Sequence, residues 1–311
     1  MAVTTHMPLG ALPSRFRRQR LLIVGCGDVG LRVAAIASRF GGRRVLTLTS
    51  SPERVDSLRA AGLEPLLGNL DVPASLRRLA GLGTRILHLA PPPADDRSAI
   101  HDPRTRALTR ALVRRSRPAS AVYGSTSGVY GDRQGQWLAE TASCQPQTPR
   151  GHRRVDAENH WHGFGLRAGV STRVLRIPGI YANDRAGGTP RERLLKGTPV
   201  LAQADDVYTN HIHADDLARA CWLALWRGGA QRNFHVTDDT EMKMGDYFDA
   251  AADLYGLQRP PRVSRKEAVN AVSPMQLSFM SESRRLRNQR MKNELGLRLV
   301  YPTVIDGLKQ G

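Results

Sequence analysis

The most regular hydrophobic pattern lies near the amino terminus, where residues 21–24 form an uninterrupted apolar run. A short run of this kind predicts a strand that is buried on both faces of a sheet. Residues 25–30 follow with the pattern G-x-G-x-x-G, and residues 31–40 then carry apolar side chains at helical spacing. The pattern therefore predicts a strand, a glycine-rich turn and a helix, in that order.

Short apolar runs and longer amphipathic runs alternate through the next 150 residues or so. The predicted strands after the first are 43–49, 64–67, 84–90, 119–124 and 172–177. The predicted helices are 52–61, with Ser51 as its cap and Pro52 as its first residue, one from Pro73, 102–117 and 149–168. This alternation is typical of βαβ units, so we predict an α/β protein with a Rossmann doubly wound parallel sheet.

The glycine pattern predicts a dinucleotide-binding turn because each glycine has a separate role. We expect Gly25 to allow the tight turn, Gly27 to let a pyrophosphate approach the backbone, and Gly30 to let the helix pack against the strand. Asp28 and Val29 complete the predicted cofactor-binding turn at a helix amino terminus, where free N–H groups favour phosphates. A glycine-rich turn that binds nothing is the alternative.

The pattern loosens after Pro178 into short segments that glycine and proline interrupt, with helices predicted at 215–227 and 245–255. We therefore predict three parts. Residues 1–18 form a disordered basic leader, and residues 19–178 form the NAD(P)-binding Rossmann domain. Residues 179–311 form a small C-terminal α+β substrate-binding domain, for which interleaving with the sheet stays open.

The formal net charge of +18 is unusual, and all but five of the 46 basic residues are arginines. A basic surface favours polyanions, either nucleic acid or small phosphorylated ligands. The arginines are spread along the sequence without a recognition-helix or zinc-finger pattern. We therefore favour a solvated arginine-rich surface over a nucleic-acid site.

The cysteines and the apolar segments bound the compartment. Cys26, Cys144 and Cys221 are scattered without C-x-x-C spacing, which favours a reducing cytosol over a disulfide framework or a zinc site. No segment is long and apolar enough to span a bilayer. The basic leader has no apolar core of a secretory signal. We predict a cytoplasmic protein, and an organelle-targeting role for the leader stays open.

Six motifs occur in order along the chain: residues 25–30, 68–71, 88–90, 125–131, 176–181 and 211–216. The combination of Ser-Thr-Ser-Gly-Val-Tyr-Gly at 125–131 with the later His-Ala-Asp-Asp resembles the extended and atypical short-chain dehydrogenase/reductases, the NAD-dependent epimerase/dehydratase-like family. The resemblance covers about residues 19–308. It implies an NAD(P)-dependent oxidoreductase, epimerase or dehydratase that acts on a small-molecule substrate, with a homodimer left open.

The resemblance also implies an active site with a Ser or Thr, a Tyr, and a Lys four residues after the Tyr. Thr126 takes the place of the Ser or Thr, while Arg150 and Arg154 stand in the places of the Tyr and the Lys. An arginine stays protonated in proteins, so Arg150 cannot be the acid/base, whereas Arg154 can supply the fixed charge and a ribose contact. The two arginines together predict an anion site.

Two alternatives follow from the missing tyrosine. In an enzyme, His152, His88 or Tyr130 is a candidate replacement base, although a solvated helix residue, a buried strand residue and a packing residue are the simpler interpretations of the three. The other alternative is a non-catalytic, NADP(H)-sensing regulatory or binding protein.

The choice of cofactor depends on the residues after the second strand. An NAD site usually carries an Asp or Glu there, whereas this chain has Ser50, Ser51 and Arg54, which suit a 2′-phosphate. We therefore predict NADP, and NAD stays open. The resemblance further implies that Asn69 and Leu70 flank the adenine. It places Leu89, Ala90 and Pro91 at the ribose and Pro178, Gly179 and Ile180 at the nicotinamide.

His211, His213, Asp215 and Asp216 are close enough in sequence to suggest a metal site. The carboxylates open a predicted helix, however, where they serve as caps and dipole partners. The resemblance makes this stretch a joint between the domains, so we predict no metal.

Overall fold

The computed structural model describes residues 19–40, 44–93 and 100–309. The predicted basic leader at 1–18 lies outside these ranges. Within them, the strands are β1 (Arg20–Val24), β2 (Arg44–Thr49), β3 (Glu64–Leu67), β4 (Arg85–His88), β5 (Ser120–Thr126), β6 (Trp137–Leu138), β7 (Ser171–Ile177), β8 (Gly179–Tyr181), β9 (Val200–Leu201), β10 (Tyr208–Thr209), β11 (His211–His213), β12 (Arg232–His235), β13 (Met242–Lys243), β14 (Arg262–Val263) and β15 (Arg285–Leu286).

The α-helices of the described ranges are α1 (Asp28–Arg39), α2 (Val55–Ala60), α3 (Pro103–Leu112), α4 (Pro149–Ala168), α5 (Arg191–Leu195), α6 (Ala214–Ala224), α7 (Met244–Tyr255), α8 (Arg265–Ala271), α9 (Pro274–Phe279) and α10 (Val304–Leu308). Short 3₁₀-helices occupy Pro52–Arg54, Pro73–Leu79 and Ser127–Tyr130, and a π-helix occupies Met291–Leu295. None of the described helices combines the length and the apolar character that a bilayer crossing requires.

The central sheet has the order β12-β7-β5-β4-β1-β2-β3, and every neighbouring pair in it is parallel. Successive residues of β1 pack into opposite layers, with Leu22 in one hydrophobic cluster and Ile23 in the other. Both faces of the sheet are therefore covered, which explains why residues 21–24 of β1 are an uninterrupted apolar run. The predicted Rossmann doubly wound α/β fold is confirmed.

The chain after Pro178 returns to the sheet. β12 pairs with β7, with Phe234 opposite Leu175, and α6 packs against α1. A third hydrophobic cluster around Tyr247 and Phe248 lies in the carboxyl-terminal part. Interleaving thus occurs, because one strand of the later segment extends the sheet, and the division into two domains at residue 178 stays a prediction.

The structure corrects several element boundaries. The first helix begins at Asp28 rather than at residue 31, so the last glycine of the motif lies inside it. The helix predicted from Pro73 is a 3₁₀-helix, and the one predicted at 102–117 ends at Leu112. Asp102 is the cap of that helix and accepts hydrogen bonds from the N–H groups of Arg104 and Thr105.

The predicted cap of the second helix is wrong. Ser51 precedes Pro52 as expected, but its side chain makes no capping hydrogen bond, and Pro52–Arg54 is 3₁₀ before α2 begins at Val55. The α4 boundaries, 149–168, agree with the prediction because Thr148 caps the helix and Gly169 ends it in the left-handed conformation.

Candidate functional site

The glycine-rich turn between β1 and α1 has the geometry that the sequence predicts. Gly25 has φ +87°, and a Cβ there would lie 2.3 Å from the backbone nitrogen of Ala90. A Cβ on Gly27 would meet nothing within 4 Å, so the space in front of this backbone is open. A Cβ on Gly30 would come 3.3 Å from Cys26 Sγ, which reflects the close approach of helix and strand. The open space at Gly27 fits a pyrophosphate group.

Asp28 and Val29 lie in the first turn of α1. The Asp28 carboxylate accepts a hydrogen bond of 3.1 Å from Arg32, which also pairs with Asp184 and Asp215. These three carboxylates raise the pKa of the Arg32 guanidinium although its partial burial acts to lower it. Arg32 therefore ties the first turn of α1 to the start of α6 and to the segment after β8.

The residues predicted for the 2′-phosphate follow β2. The Arg54 guanidinium reaches back to the glycine-rich turn and donates a hydrogen bond of 2.7 Å to the carbonyl of Cys26. Ser50 is exposed and Ser51 is half-buried, and neither hydroxyl has a hydrogen-bond partner among the described residues. Two hydroxyls and one guanidinium group are thus available beside the turn.

The residues assigned by resemblance to the adenine and ribose lie at the same edge of the sheet, because parallel strands end together. Asn69 and Leu70 follow β3, and the Asn69 N–H donates to Ser75 Oγ over 2.9 Å. Leu89 and Ala90 follow β4, and both of their N–H groups donate to the carbonyl of Val24. This edge is the place where open α/β sheets bind ligands.

Pro91 and the predicted nicotinamide residues complete this edge. The carbonyl of Pro91 accepts a hydrogen bond of 3.2 Å from Arg104. Pro178 follows β7, and Gly179 and Ile180 belong to β8, which pairs in parallel with β11. The structure thus brings the predicted cofactor residues to one edge, and their binding role stays a prediction.

Thr126 is the last residue of β5, and its Oγ1 accepts a hydrogen bond of 3.2 Å from the N–H of Gly128. The hydroxyl proton of Thr126 is left for another acceptor. The amino-terminal turn of α4 packs against this segment, since a Cβ on Gly151 would lie 3.1 Å from the Gly128 carbonyl. Thr126, Arg150 and Arg154 are therefore neighbours in space, as the sequence predicts.

The two arginines of α4 make different contacts. Arg154 Nη1 donates to the Tyr123 hydroxyl over 2.9 Å and to the Gly124 carbonyl over 2.7 Å. Arg150 is exposed as a residue, but its guanidinium packs against the Phe279 ring, 5.4 Å from the centroid. Desolvation and the charges of Arg154 and Arg284 lower the pKa of Arg150, which Glu282 opposes.

Sequence analysis missed Glu282 and Arg284, which the segment before β15 brings to the same place. The Glu282 carboxylate pairs with Arg284 over 2.7 Å and lies 4.0 Å from the position of a Cβ on Gly128. Arg284 also donates to the Gly131 carbonyl over 2.9 Å. No local motif marks these residues, because more than 150 positions separate them from Thr126. The cluster forms only when the folded chain brings residues 282–284 next to the turn that follows β5.

The candidate replacement bases do not join this cluster as free groups. His88 is fully buried, and burial lowers its pKa to about 3, while its Nε2 lies 3.0 Å from Thr105 Oγ1. His152 is exposed on α4. The Tyr130 hydroxyl is buried between His235 and Arg176, each 2.5 Å away, and burial raises its pKa to about 12. The simpler interpretation of each residue agrees with its position.

The histidines of β11 serve the fold. His213 Nδ1 accepts from the N–H of Asp215 at the start of α6, and its ring stacks on Tyr301 at 3.7 Å between centroids. Asp216 accepts from the N–H groups of Val300 and Tyr301. This stretch thus connects β11 and α6 to the carboxyl-terminal segment, and its role as a joint between domains stays a prediction.

Comparisons with known proteins agree with this arrangement. In solved structures, a functionally unknown conserved protein from Silicibacter pomeroyi DSS has 30% identity and a TM-score of 0.78, with 94% of this chain and 97% of that chain covered. UDP-glucose 4-epimerase from Thermotoga maritima, solved with UDP-glucose, has 19% identity and a TM-score of 0.76 over 94% and 96% of the two chains.

UDP-glucuronic acid 4-epimerase from Bacillus cereus, solved in complex with NAD, has 14% identity and a TM-score of 0.74, with 94% of this chain and 96% of that chain covered. A sequence comparison with curated proteins finds no match. The family model described as the NAD dependent epimerase/dehydratase family matches residues 21–237, which is more than half of the sequence. The chain therefore belongs to the NAD-dependent epimerase/dehydratase family.

Proposed function

We propose that this chain is an NADP(H)-binding enzyme of the oxidoreductase, epimerase or dehydratase type that acts on a small anionic substrate. The observation that carries the proposal is the charge around Thr126. Arg150 and Arg154 lie one turn apart on α4, and the Glu282 carboxylate, which pairs with Arg284 over 2.7 Å, approaches the turn that follows Thr126. Three guanidinium groups beside one carboxylate leave an excess of positive charge, which favours a carboxylate or phosphate on the substrate.

The cofactor would lie along the carboxyl edge of the sheet. Gly25, Gly27 and Gly30 would hold the pyrophosphate at the start of α1, where the helix dipole favours negative charge. Arg154 would reach the nicotinamide ribose from α4. When bound, the cofactor supplies or accepts hydride, and the residues of this chain orient the substrate oxygen against it.

NADP is the proposed cofactor because of the groups beside the turn. Ser50 and Ser51 offer hydroxyls, and the Arg54 guanidinium is held at the turn by its hydrogen bond to Cys26. A 2′-phosphate gains from such a cation, whereas the acid that usually binds a free 2′-OH would repel it. A relative solved with NAD keeps that cofactor as the alternative.

The proton-transfer role falls to Glu282 in this proposal. Arg150 and Arg154 stay cationic, and Thr126 donates a hydrogen bond without changing charge readily. Glu282 is the carboxylate of the cluster, and carboxylates serve as proton donors and acceptors in general acid–base catalysis. Its pairing with Arg284 holds the carboxylate beside the turn that follows β5. Thr126 would then bind the substrate oxygen, and Glu282 would exchange a proton with it.

Nucleotide sugars are a reasonable first class of anionic substrate to test. The Thermotoga maritima epimerase was solved with UDP-glucose, and a second Bacillus cereus structure contains UDP-glucuronic acid. Both ligands carry phosphates that match the charge of the arginine cluster. For location we propose the cytoplasm, since the thiols of Cys26, Cys144 and Cys221 are free. A homodimer stays open.

A second candidate function is an NADP(H)-sensing binding protein without turnover. The observation that favours it is the replacement of the family's tyrosine by Arg150, whose guanidinium packs on Phe279. A sensor of this kind would bind the dinucleotide, and its interactions with other molecules would depend on whether the bound nucleotide is oxidised or reduced. It would exchange no hydride with any substrate.

Hydride exchange separates the two candidates. The purified chain is mixed with NADPH and a panel of 2-oxo acids and uncharged ketones, which accept hydride. It is mixed separately with NADP+ and UDP-glucose or UDP-glucuronic acid, whose hydroxyl-bearing carbons give up hydride. The redox state of the nucleotide and product formation are followed in both sets. If the chain is an enzyme, we expect turnover with an anionic member of the panel. Arg150→Ala should raise KM at least tenfold, and Glu282→Gln should lower kcat at least tenfold. Arg39→Ala, an exposed arginine on α1, is the matched control. Binding of NADPH without exchange across the panel would favour the sensor.

A further inference from the structure

A groove at the amino edge of the sheet collects arginines from three separate segments. It has a volume of about 1410 Å³ and lies between the start of β1, the loop before β4, the end of α3 and the end of α4. Its basic residues are Arg20, Arg110, Arg114, Arg115, Arg117 and Arg167. We call these six side chains and the space between them the basic groove.

No carboxylate lines the basic groove among the residues that the structure describes. Its lining residues lie at 20, 80–82, 109–117 and 164–168, and none of them is an aspartate or glutamate. Within residues 19–40, 44–93 and 100–309, the guanidinium groups of Arg110, Arg114, Arg115 and Arg167 make no hydrogen bond or ion pair. All four residues are exposed.

Stabilisation of helix ends explains only a small part of this charge. The carboxyl ends of α3 and α4 point to the groove, and Arg117 donates a hydrogen bond of 2.9 Å to the Ala168 carbonyl at the end of α4. A helix end carries about half a negative charge. Two helix ends therefore offset roughly one of the six positive charges.

We propose that the basic groove binds a nucleic-acid strand through its phosphodiester backbone, independently of base sequence. The volume exceeds the range of about 300–1,000 Å³ that is typical of small-ligand pockets, so an extended anion fits better. All six cations are arginines, whose planar forks match phosphate oxygens bidentately. Phe164 lines the groove but is only 3% exposed, so none of the described lining residues offers an aromatic stacking surface for bases.

Other occupants fit the groove less well. A second copy of this chain carries the same net charge of +18 and would be repelled. The leader at 1–18 contains no acid. A membrane presents a flat surface, whereas these arginines line a concave one. The linear charge density of nucleic acid, about one charge per 3.4 Å of each strand, favours binding through counterion release.

The basic groove is distinct from the dinucleotide edge. Its residues lie at the amino ends of β1, β4 and β5, while the glycine-rich turn and Thr126 lie at the carboxyl ends of the same strands. The two surfaces lie at opposite ends of the same strands, and each strand residue advances the chain by about 3.3 Å. The length of the strands therefore separates the basic groove from the dinucleotide edge. Nucleic acid and NADPH should therefore bind without competing.

The test is fluorescence anisotropy of a labelled, mixed-sequence RNA strand of about 20 nucleotides, long enough to exceed one site. Six phosphate contacts predict a slope of log K against log salt concentration of about −4. The double variant Arg114→Gln with Arg115→Gln should bind more weakly and reduce this slope to about −3. The matched control, Arg39→Gln with Arg298→Gln, removes two exposed arginines outside the groove and should leave the slope unchanged.

The remaining arms identify the source of the phosphates. Single-stranded DNA and a DNA duplex serve as competitors of the labelled RNA. Their relative affinities show which kind of strand the groove prefers, and displacement of the RNA by either of them supports recognition of the phosphodiester backbone. Polyglutamate of equal length should compete much less well. The proposal is overturned if polyglutamate competes equally, if the groove and control variants weaken RNA binding alike, or if saturating NADPH displaces the RNA. Circular dichroism and thermal unfolding verify that the variants are folded.

Discussion

Arg154 Nη1 donates hydrogen bonds to the Tyr123 hydroxyl over 2.9 Å and to the Gly124 carbonyl over 2.7 Å. The cation in the family's lysine position therefore holds the carboxyl end of β5, two residues before Thr126. Tyr123 is fully buried, and burial raises the pKa of its hydroxyl, which the positive charge of Arg154 opposes. One arginine thus links the stability of the sheet to the geometry of the candidate site.

Arg154→Ala should lower both stability and NADPH affinity. Without Arg154 the buried Tyr123 hydroxyl loses its partner, which costs about 1–3 kcal/mol of unfolding free energy. Adding Tyr123→Phe to Arg154→Ala removes the unpartnered hydroxyl and should recover part of the stability without restoring NADPH binding. Urea unfolding and NADPH titration of the wild type and the two variants measure both effects. Wild-type stability and affinity in Arg154→Ala would contradict the double role.

An added side chain should impair NADPH binding at one glycine of the turn and the stability of the fold at another. Gly27→Val should abolish NADPH binding in a folded protein, since the added carbons enter open space where the pyrophosphate would lie. Gly25→Ala should destabilise the fold by several kcal/mol, because φ is +87° and the Cβ would lie 2.3 Å from the Ala90 nitrogen. Calorimetry with NADPH and thermal unfolding separate the two effects. A folded Gly27→Val protein with unchanged affinity would place the ligand elsewhere.

The groups that follow β2 should make NADPH bind more tightly than NADH. The Arg54 guanidinium and the hydroxyls of Ser50 and Ser51 favour a 2′-phosphate. Ser51→Asp should reverse the order, since a carboxylate repels the phosphate and accepts from a free 2′-OH. Ser38→Asp on α1 adds the same charge away from the turn and serves as the control. Fluorescence titration with both nucleotides decides the point, and equal or tighter NADH binding in the wild type would refute it.

Local patterns in the sequence were sufficient to predict six of the seven strands of the central sheet. The apolar runs from β1 to β7 and the glycine-rich turn are continuous stretches of chain whose period and flanking residues carry the signal. Helix ends were less predictable. The helix predicted at 102–117 stops at Leu112, although Val113 continues the apolar pattern as an exposed residue.

The missed features depend on contacts between distant segments. β12 joins the sheet only because Phe234 meets Leu175, and no periodicity within four residues distinguishes such a strand from a loop. Glu282 and Arg284 reach Gly128 and Gly131 from the far end of the chain. Four of the six arginines of the basic groove lie within residues 110–117, and Arg20 and Arg167 join them only after folding. The part of a charge cluster that tertiary contacts supply is therefore invisible to local patterns.

Asp238, which precedes the carboxyl-terminal segment, is a buried carboxyl with one unpartnered oxygen. It is 3% exposed, its Oδ1 accepts from the N–H of Thr240 over 3.0 Å, and its Oδ2 has no partner among the described residues. Burial raises its pKa to about 8, and the negative charges of Asp239 and Asp216 act in the same direction. At neutral pH the folded protein therefore holds a proton that the unfolded chain has released.

The contribution of Asp238 to stability should consequently fall as the pH rises from about 4 to about 8, because over this range the native state binds more protons at Asp238 than the unfolded state does. The slope contributed by this group is at most about 1.4 kcal/mol per pH unit. Asp238→Asn cannot titrate and keeps the Oδ1 acceptor, so the free energy of unfolding of the variant should gain on that of the wild type with each pH unit. Titration of buried His88 and His235 acts equally in both proteins and cancels in the difference.

Urea unfolding at several pH values measures the two profiles, with Asp56→Asn, whose side chain is 94% exposed, as the control that should follow the wild type. Parallel profiles for the wild type and Asp238→Asn would show that this carboxyl is ionised in the folded protein.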